Sequence, residues 1–374
     1  MYKTKERLGV ILLITYSNKI KVKLTSKERV MLSMRHEEPD RVPICFDCSQ
    51  HDKIDDLVRY CGVNDKEALL QLFHSDCRWC VCWQDTCPEN INLYSETGTF
   101  VDMWGVERDF YGGYAITHPL AYAESIEDIE NYAHWPDTGA INYRSYIKQM
   151  ESHQEYAVFG GLFSPFAHVA ESLLGMEKFM IMMLTSPEVI HHLLDKIVEF
   201  YLQCNKILFD KARDKMHIFH SGDDYGTQLD LLYSPELWRA FIKPRIKQLY
   251  DLAKEHGYKI MHHSCGSIIK IIPELIEIGL DGLQPIQVCA AGMDTAILKQ
   301  KFGSRLAFMG AIDAQNIMPF GSLQDVKDEV KRRINDLAPN GGFILSTSQG
   351  IMPEIPNENI VAMFEAAIEY GKYT

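Results

Sequence analysis

Beyond residue 156 the apolar and polar positions follow two alternating rhythms. Short apolar runs recur at Tyr156–Gly160, Met216–Phe219, Tyr258–His262, Gly282–Pro285, Leu306–Gly310 and Gly342–Ser346, with the length of buried strands. Longer amphipathic stretches separate them. Ser186, Pro187 and Glu188 open one such helix, with serine as N-cap and proline pre-set for the first helical position. Its Val189, Ile190, Leu193, Leu194, Ile197, Val198 and Tyr201 repeat with the 3.6-residue period of one buried face. Ser234, Pro235 and Glu236 open the next in the same manner, and Gly257 closes it. Ser267–Ile278, Asp294–Lys301, Ser322–Leu337 and Asn359–Tyr370 complete the predicted helices. Strands spaced by helices of this length require a parallel sheet with right-handed crossovers.

Upstream, residues 1–25 read as a strand-prone N-terminal extension. The stretch from Thr25 to Glu28 has the capping-box pattern, a hydroxyl and a glutamate that satisfy free backbone N–H groups. Pro39 is expected to end that helix, and Arg41–Asp47 (RVPICFD) predicts the first buried strand. A closed barrel and an open doubly wound sheet both accommodate these elements. The ends of the strands separate them: Asp47, Asp223 with Asp224, His263 with Cys265, Gln287, Asp313, and Ser346 through Gln349 all follow strands. A barrel gathers such ends on one face, whereas an open sheet strings them along a line. The expected architecture is therefore α/β, a (β/α)8 TIM barrel over residues 26–374 behind the N-terminal extension.

Composition narrows the function. The chain carries 38 Lys+Arg against 51 Asp+Glu, a net charge of −13, and an acidic surface repels nucleic-acid backbones. The apolar run Val10–Ile14 is far below the roughly 20 residues of a membrane span. With no signal-peptide pattern, the ten cysteines are expected to be reduced, in a cytoplasm.

Three constellations could carry chemistry. Met261–Gly266 places His263 and Cys265 one residue apart on a strand-to-loop turn, where imidazole and thiolate can meet one Zn²⁺ ion. A helix N-terminus at Gly266–Ser267 would favour the thiolate; a buried histidine and cysteine at a core edge is the bland alternative. His220–Gln228 presents the adjacent carboxylates Asp223 and Asp224, suited to metal ligation, proton transfer or substrate binding, or else to capping a helix. Tyr225 and Gln228 in the same loop, with Gln287 and Asp313 at other strand ends, are candidate substrate-binding residues. Cys77, Cys80, Cys82 and Cys87 invite a metal-cluster reading, but the spacing fits no standard site and Trp79, Val81 and Trp83 interleave as core residues would. P-loop, strand-linked G-x-G-x-x-G and G-x-S-x-G patterns are absent, which removes the usual basis for nucleotide hydrolysis and acyl-serine chemistry.

Several stretches resemble the uroporphyrinogen decarboxylase superfamily in its own order: Ser26–Val30, Glu38–Pro43 (EPDRVP), Val101–Gly105 (VDMWG), Gly222–Gln228 with Ser234–Glu236, His263–Gly266 (HSCG), Phe308–Asp313, Gly341–Ser346 and Ile355–Asn359. The resemblance spans residues 26–373 and implies a TIM barrel with its site at the C-terminal mouth. The decarboxylases of that superfamily carry arginines after the first strand to grip a polycarboxylate. Phe46–Lys53 (FDCSQHDK) has none. The resemblance is closer to the zinc-dependent methyltransferases, which exchange a methyl group between a small donor or acceptor and a corrinoid protein. It implies His263 and Cys265 as zinc ligands and puts Gln349 where a third ligand, commonly cysteine, would stand; His220, His262, Asp223 and Asp224 are possible substitutes. It leaves two alternatives, a metal-free decarboxylase using Asp223 or Asp224 and a non-catalytic barrel.

Overall fold

The computed structural model describes residues 24–48, 50–82, 98–109 and 113–373. The extension expected over residues 1–25 lies almost wholly outside this range, as do Cys87 and the side chain of Cys82. Nine strands are present among the described residues: β1 Cys77–Cys82, β2 Thr99–Val101, β3 Glu107–Asp109, β4 Ala157–Leu162, β5 Ile218–Gly222, β6 Lys259–His263, β7 Gly282–Ile286, β8 Ala307–Ile312 and β9 Phe343–Thr347. β2 and β3 form an antiparallel hairpin. The other seven form one parallel sheet in the order β1-β4-β5-β6-β7-β8-β9.

The strand sequences explain the arrangement. β4 (AVFGGL) and β8 (AFMGAI) are buried at every position, as parallel strands covered on both faces must be. Inward-facing Cys77, Phe159, Ile218, Met261, Met309 and Ile344 share a single small core. First and last strands thus contribute to the same interior, so the sheet is curled into a barrel-like shape. Helix Ser26–Ser33 sends Val30 and Met34 into that interior and plugs the N-terminal end. Its capping box forms as expected, but it stops at Ser33, well ahead of Pro39.

An eight-stranded barrel was expected; among the described residues the parallel sheet has seven strands. Arg41–Asp47 makes one parallel bridge, Ile44 to Leu345, beside β9. On its other side one backbone bond, Asp76 N to Ile44 O at 2.7 Å, is joined by side chains that take the remaining places of a strand partner. Ile44 N donates to the Asp76 carboxylate at 2.9 Å and Phe46 N to the Ser75 hydroxyl at 3.1 Å. Pro43 has no N–H to offer a ladder. The segment is buried as predicted yet lacks the hydrogen-bond pattern of a strand.

Helix Pro187–Ala212 buries all seven apolar positions read from its sequence. The helix opened by Pro235 reaches Glu255 through a π-turn at Trp238–Ile242, where Pro244 lacks the N–H that would continue the regular ladder. The helix expected over Ser267–Ile278 shrinks to Ile272–Glu277, and the Ser267 hydroxyl donates to Ala291 O at 2.6 Å. No helix N-terminus stands behind Cys265, contrary to expectation. Cys77 packs in the inner core and Cys80 in the outer one; the two point to opposite faces of β1 and cannot share a metal. No helix among the described residues is long and apolar enough to cross a membrane.

Candidate metal centre

Strands β5 and β6 pair in parallel with Gly222 opposite His263. A Cβ on Gly222 would come within 2.4 Å of the His263 Cβ, so only glycine allows this approach. The residues just past the two strand ends therefore meet. Asp224 Oδ1 accepts the Cys265 backbone N–H at 2.7 Å and lies 3.5 Å from His263 Nε2. Cys265 Sγ stands 3.6 Å from the same nitrogen. The donor atoms of Asp224, His263 and Cys265 all fall within 4.8 Å of one another. Tetrahedral zinc bonds of about 2.0–2.3 Å put donor atoms about 3.3–3.8 Å apart, and the separations of Asp224 and Cys265 from His263 Nε2, 3.5 and 3.6 Å, lie in that range.

Electrostatics follow from this packing. Burial alone would strip the proton from His263, but the Cys265 sulfur, and after it Asp224, push this imidazolium up to about 10. Burial, followed by the charge on His263, pushes the neighbouring His220 down to about 3. His220 is packed between Phe163 and Trp79, with ring centres 5.3 and 4.9 Å away. These two aromatic rings, both partly buried, make an apolar wall beside the cluster. His262 faces the other side of β6, stacked on Tyr225, and burial pushes it down to about 3 as well. It is no substitute ligand.

The remaining candidates divide. Gln349 does reach the cluster, where its amide nitrogen donates to Cys265 Sγ at 3.7 Å. Gln228 is exposed in the loop after β5. Gln287 is buried and accepts from Gly266 N at 2.7 Å, holding the turn that carries Cys265. Asp313 accepts from the backbone of Gln315 and Asn316 at 2.9 and 3.0 Å, which shapes its own turn. Tyr225 is fully buried behind β6 and does not face the mouth.

Asp223 and Asp224 were expected to face the mouth together; only Asp224 does. Asp223 turns inward and accepts from Ala167 N and His168 N at 2.6 and 3.1 Å, anchoring the start of helix Phe166–Leu174. Burial, and next the Glu171 carboxyl, raise its pKa against the pull of those N–H groups. Asp223→Ala is accordingly expected to lower stability by about 1–2 kcal/mol, the cost of a lost helix cap. Chemical denaturation checks this, and an unchanged midpoint would contradict the anchoring role. Sequence reasoning missed Gln284, Phe163 and Trp79 as neighbours of the site. A polar residue at an inward position of an otherwise apolar strand was the available signal for Gln284.

The family model for uroporphyrinogen decarboxylase (URO-D) matches residues 81–370. The chain belongs to the uroporphyrinogen decarboxylase family. Both chemistries read from the sequence occur among its relatives. The chloroplastic uroporphyrinogen decarboxylase 2 of Oryza sativa is 25% identical over 299 residues, covering 76% of this chain and 72% of the relative. The methylated-thiol–coenzyme M methyltransferase of Methanosarcina mazei is 26% identical over 212 residues, or 56% of this chain and 52% of that one. The methylcobamide:CoM methyltransferase MtaA of Methanosarcina barkeri is 25% identical over 214 residues, 57% and 58% of the respective chains. A solved methyltransferase from Methanosarcina mazei shares the fold with a TM-score of 0.68 at 18% identity, covering 93% of this chain and 99% of its own.

Proposed function

We propose that this chain is a zinc-assisted methyltransferase that exchanges a methyl group between a small donor or acceptor and a corrinoid protein. The observation that carries the reading is the convergence of Asp224, His263 and Cys265 at two adjacent strand ends. Gln349, expected as third ligand, offers the cluster an amide nitrogen, and Asp224 takes that place. One thiolate and one carboxylate balance a dication as two thiolates would, so the charge logic of the site survives the loss of a cysteine. Bound there, zinc would act as a Lewis acid on the heteroatom that carries or receives the methyl group. The protein's own groups do the rest. Gln349 donates to the Cys265 sulfur, and Trp79 and Phe163 shield a methyl-bearing carbon from water. The corrinoid belongs to a partner protein, and we read Arg41–Asp47 as the eighth member of a closed barrel whose mouth that partner would cover.

A metal-free decarboxylase is the second reading, favoured by the match to plant uroporphyrinogen decarboxylases. It lacks guanidinium groups in Phe46–Lys53 to bind the carboxylates. Elemental analysis decides first. Wild-type protein purified without chelator should hold stoichiometric zinc, and Cys265→Ser should lose it. Equal metal in both proteins, or none in either, overturns the proposal. Methylation of free cob(I)alamin by candidate donors, against carboxylate loss from a porphyrinogen, then separates the two reactions.

A further inference from the structure

We infer that Gln284 is a positioning residue for the metal centre: its side-chain amide, oriented by Asp47, decides which ring nitrogen of His263 is presented to Asp224 and Cys265. This rests on the zinc reading above and specifies how the chain prepares that site.

Gln284 lies on β7, in register with His263 on β6, and is 4% exposed. Every other residue of that strand is glycine, proline or aliphatic, so a buried amide here needs partners. It has three. Its Oε1 lies 2.7 Å from His263 Nδ1 and 3.3 Å from His220 Nε2, and its Nε2 donates to Asp47 Oδ2 at 3.2 Å. The polarity of these bonds is linked. A carboxylate only accepts, so Asp47 draws the amide nitrogen towards itself and leaves the amide oxygen facing the two imidazoles. An oxygen there needs a donor, so the proton of His263 sits on Nδ1. Metal binding displaces one proton of the imidazolium, and with Nδ1–H held by Gln284 the nitrogen that gives it up is Nε2, the atom beside Asp224 and Cys265. Reversing the amide would set its NH2 against both imidazoles and its oxygen against the Asp47 carboxylate. It would also place the His263 proton on the nitrogen that must bind metal. A partner of this kind behind a ligating histidine fixes its tautomer and ring orientation.

The test pairs two substitutions of similar volume. Gln284→Met removes the acceptor and Gln284→Glu retains it. In chelator competition, Gln284→Met should bind zinc about 10–100-fold more weakly than wild type, the usual cost of losing such a partner. Gln284→Glu, whose second oxygen must share a proton with Asp47, should lose less zinc affinity than Gln284→Met. In protein loaded with ¹¹³Cd and ¹⁵N-histidine, the metal coupling should fall on His263 Nε2, and Nδ1 should carry a slowly exchanging proton. Coupling on Nδ1 overturns the inference even if the methionine variant fails to fold. Equal zinc affinity in both variants, with Cys265→Ser devoid of metal, overturns it and leaves the zinc site standing. Wild-type protein that binds neither metal removes both.

Discussion

Asp76→Ala is expected to cost about 3–5 kcal/mol of stability, the penalty for removing one partner from a buried ion pair. Asp76 has no exposed surface. Its carboxylate receives Ser26 Oγ at 2.8 Å, Arg29 Nη1 at 2.7 Å, both terminal nitrogens of Arg41 at 2.7 and 3.0 Å, and Ile44 N at 2.9 Å. Deleting it strands one guanidinium in the interior, another at its edge, and the backbone N–H that positions Arg41–Asp47. Asp40 still pairs with Arg29 at 2.6 Å, which limits the loss but offers Ile44 nothing. Equilibrium denaturation should show a lower midpoint with a preserved slope. A loss below about 1 kcal/mol, the range of exposed pairs, would mean that water replaces these bonds and that the segment is held by burial alone.

The second large effect concerns Asp224. Asp224→Asn keeps the shape of the loop and removes the negative ligand, so zinc affinity should drop by more than about 100-fold, beyond the usual loss of a partner behind a ligand. Gln349→Cys should reverse most of that loss, since position 349 already reaches the Cys265 sulfur and a thiolate restores the missing charge. The pair should therefore be strongly non-additive. Chelator competition on the two single variants and the double variant measures this. Additive behaviour would place Asp224 or Gln349 outside the ligand sphere.

Features governed by local physics were readable from the sequence. Ser186 with Pro187, Asp294 and Ser322 each begin helices at the positions their chemistry suggested. His263 and Cys265, one residue apart on one turn, had no freedom to part. What escaped depended on neighbours distant in the chain. Asp223 and Asp224 are equivalent in a sequence, and only the position of helix Phe166–Leu174, itself not anticipated, turns one inward. β1 was hidden because its cysteines suggested metal chemistry, while the alternation of Cys77, Trp79 and Val81 on one face was the strand signal. Arg41–Asp47 has the composition of a strand, but a carboxylate and a hydroxyl take part of the bonding that a neighbouring backbone would supply, and no pattern within those seven residues records that. The third ligand was sought at Gln349 by analogy of position. The register of β5 and β6 brings Asp224 there instead.

The contact between helix Ser26–Ser33 and β9 has a bearing on biosynthesis. Ser33 Oγ donates to Phe343 O at 2.9 Å and accepts from Phe343 N at 3.0 Å, across 310 positions of sequence. Leu345 and Ile44 join across a similar span. During translation these early segments must wait for some 310 further residues before their partners exist. Until then β8 presents an open edge, and the apolar faces of Val30 and Met34 have an incomplete interior to enter. Contacts of such separation form late and leave intermediates prone to association. A ribosome stalled near residue 335 would thus carry a chaperone client, its sheet still lacking β9.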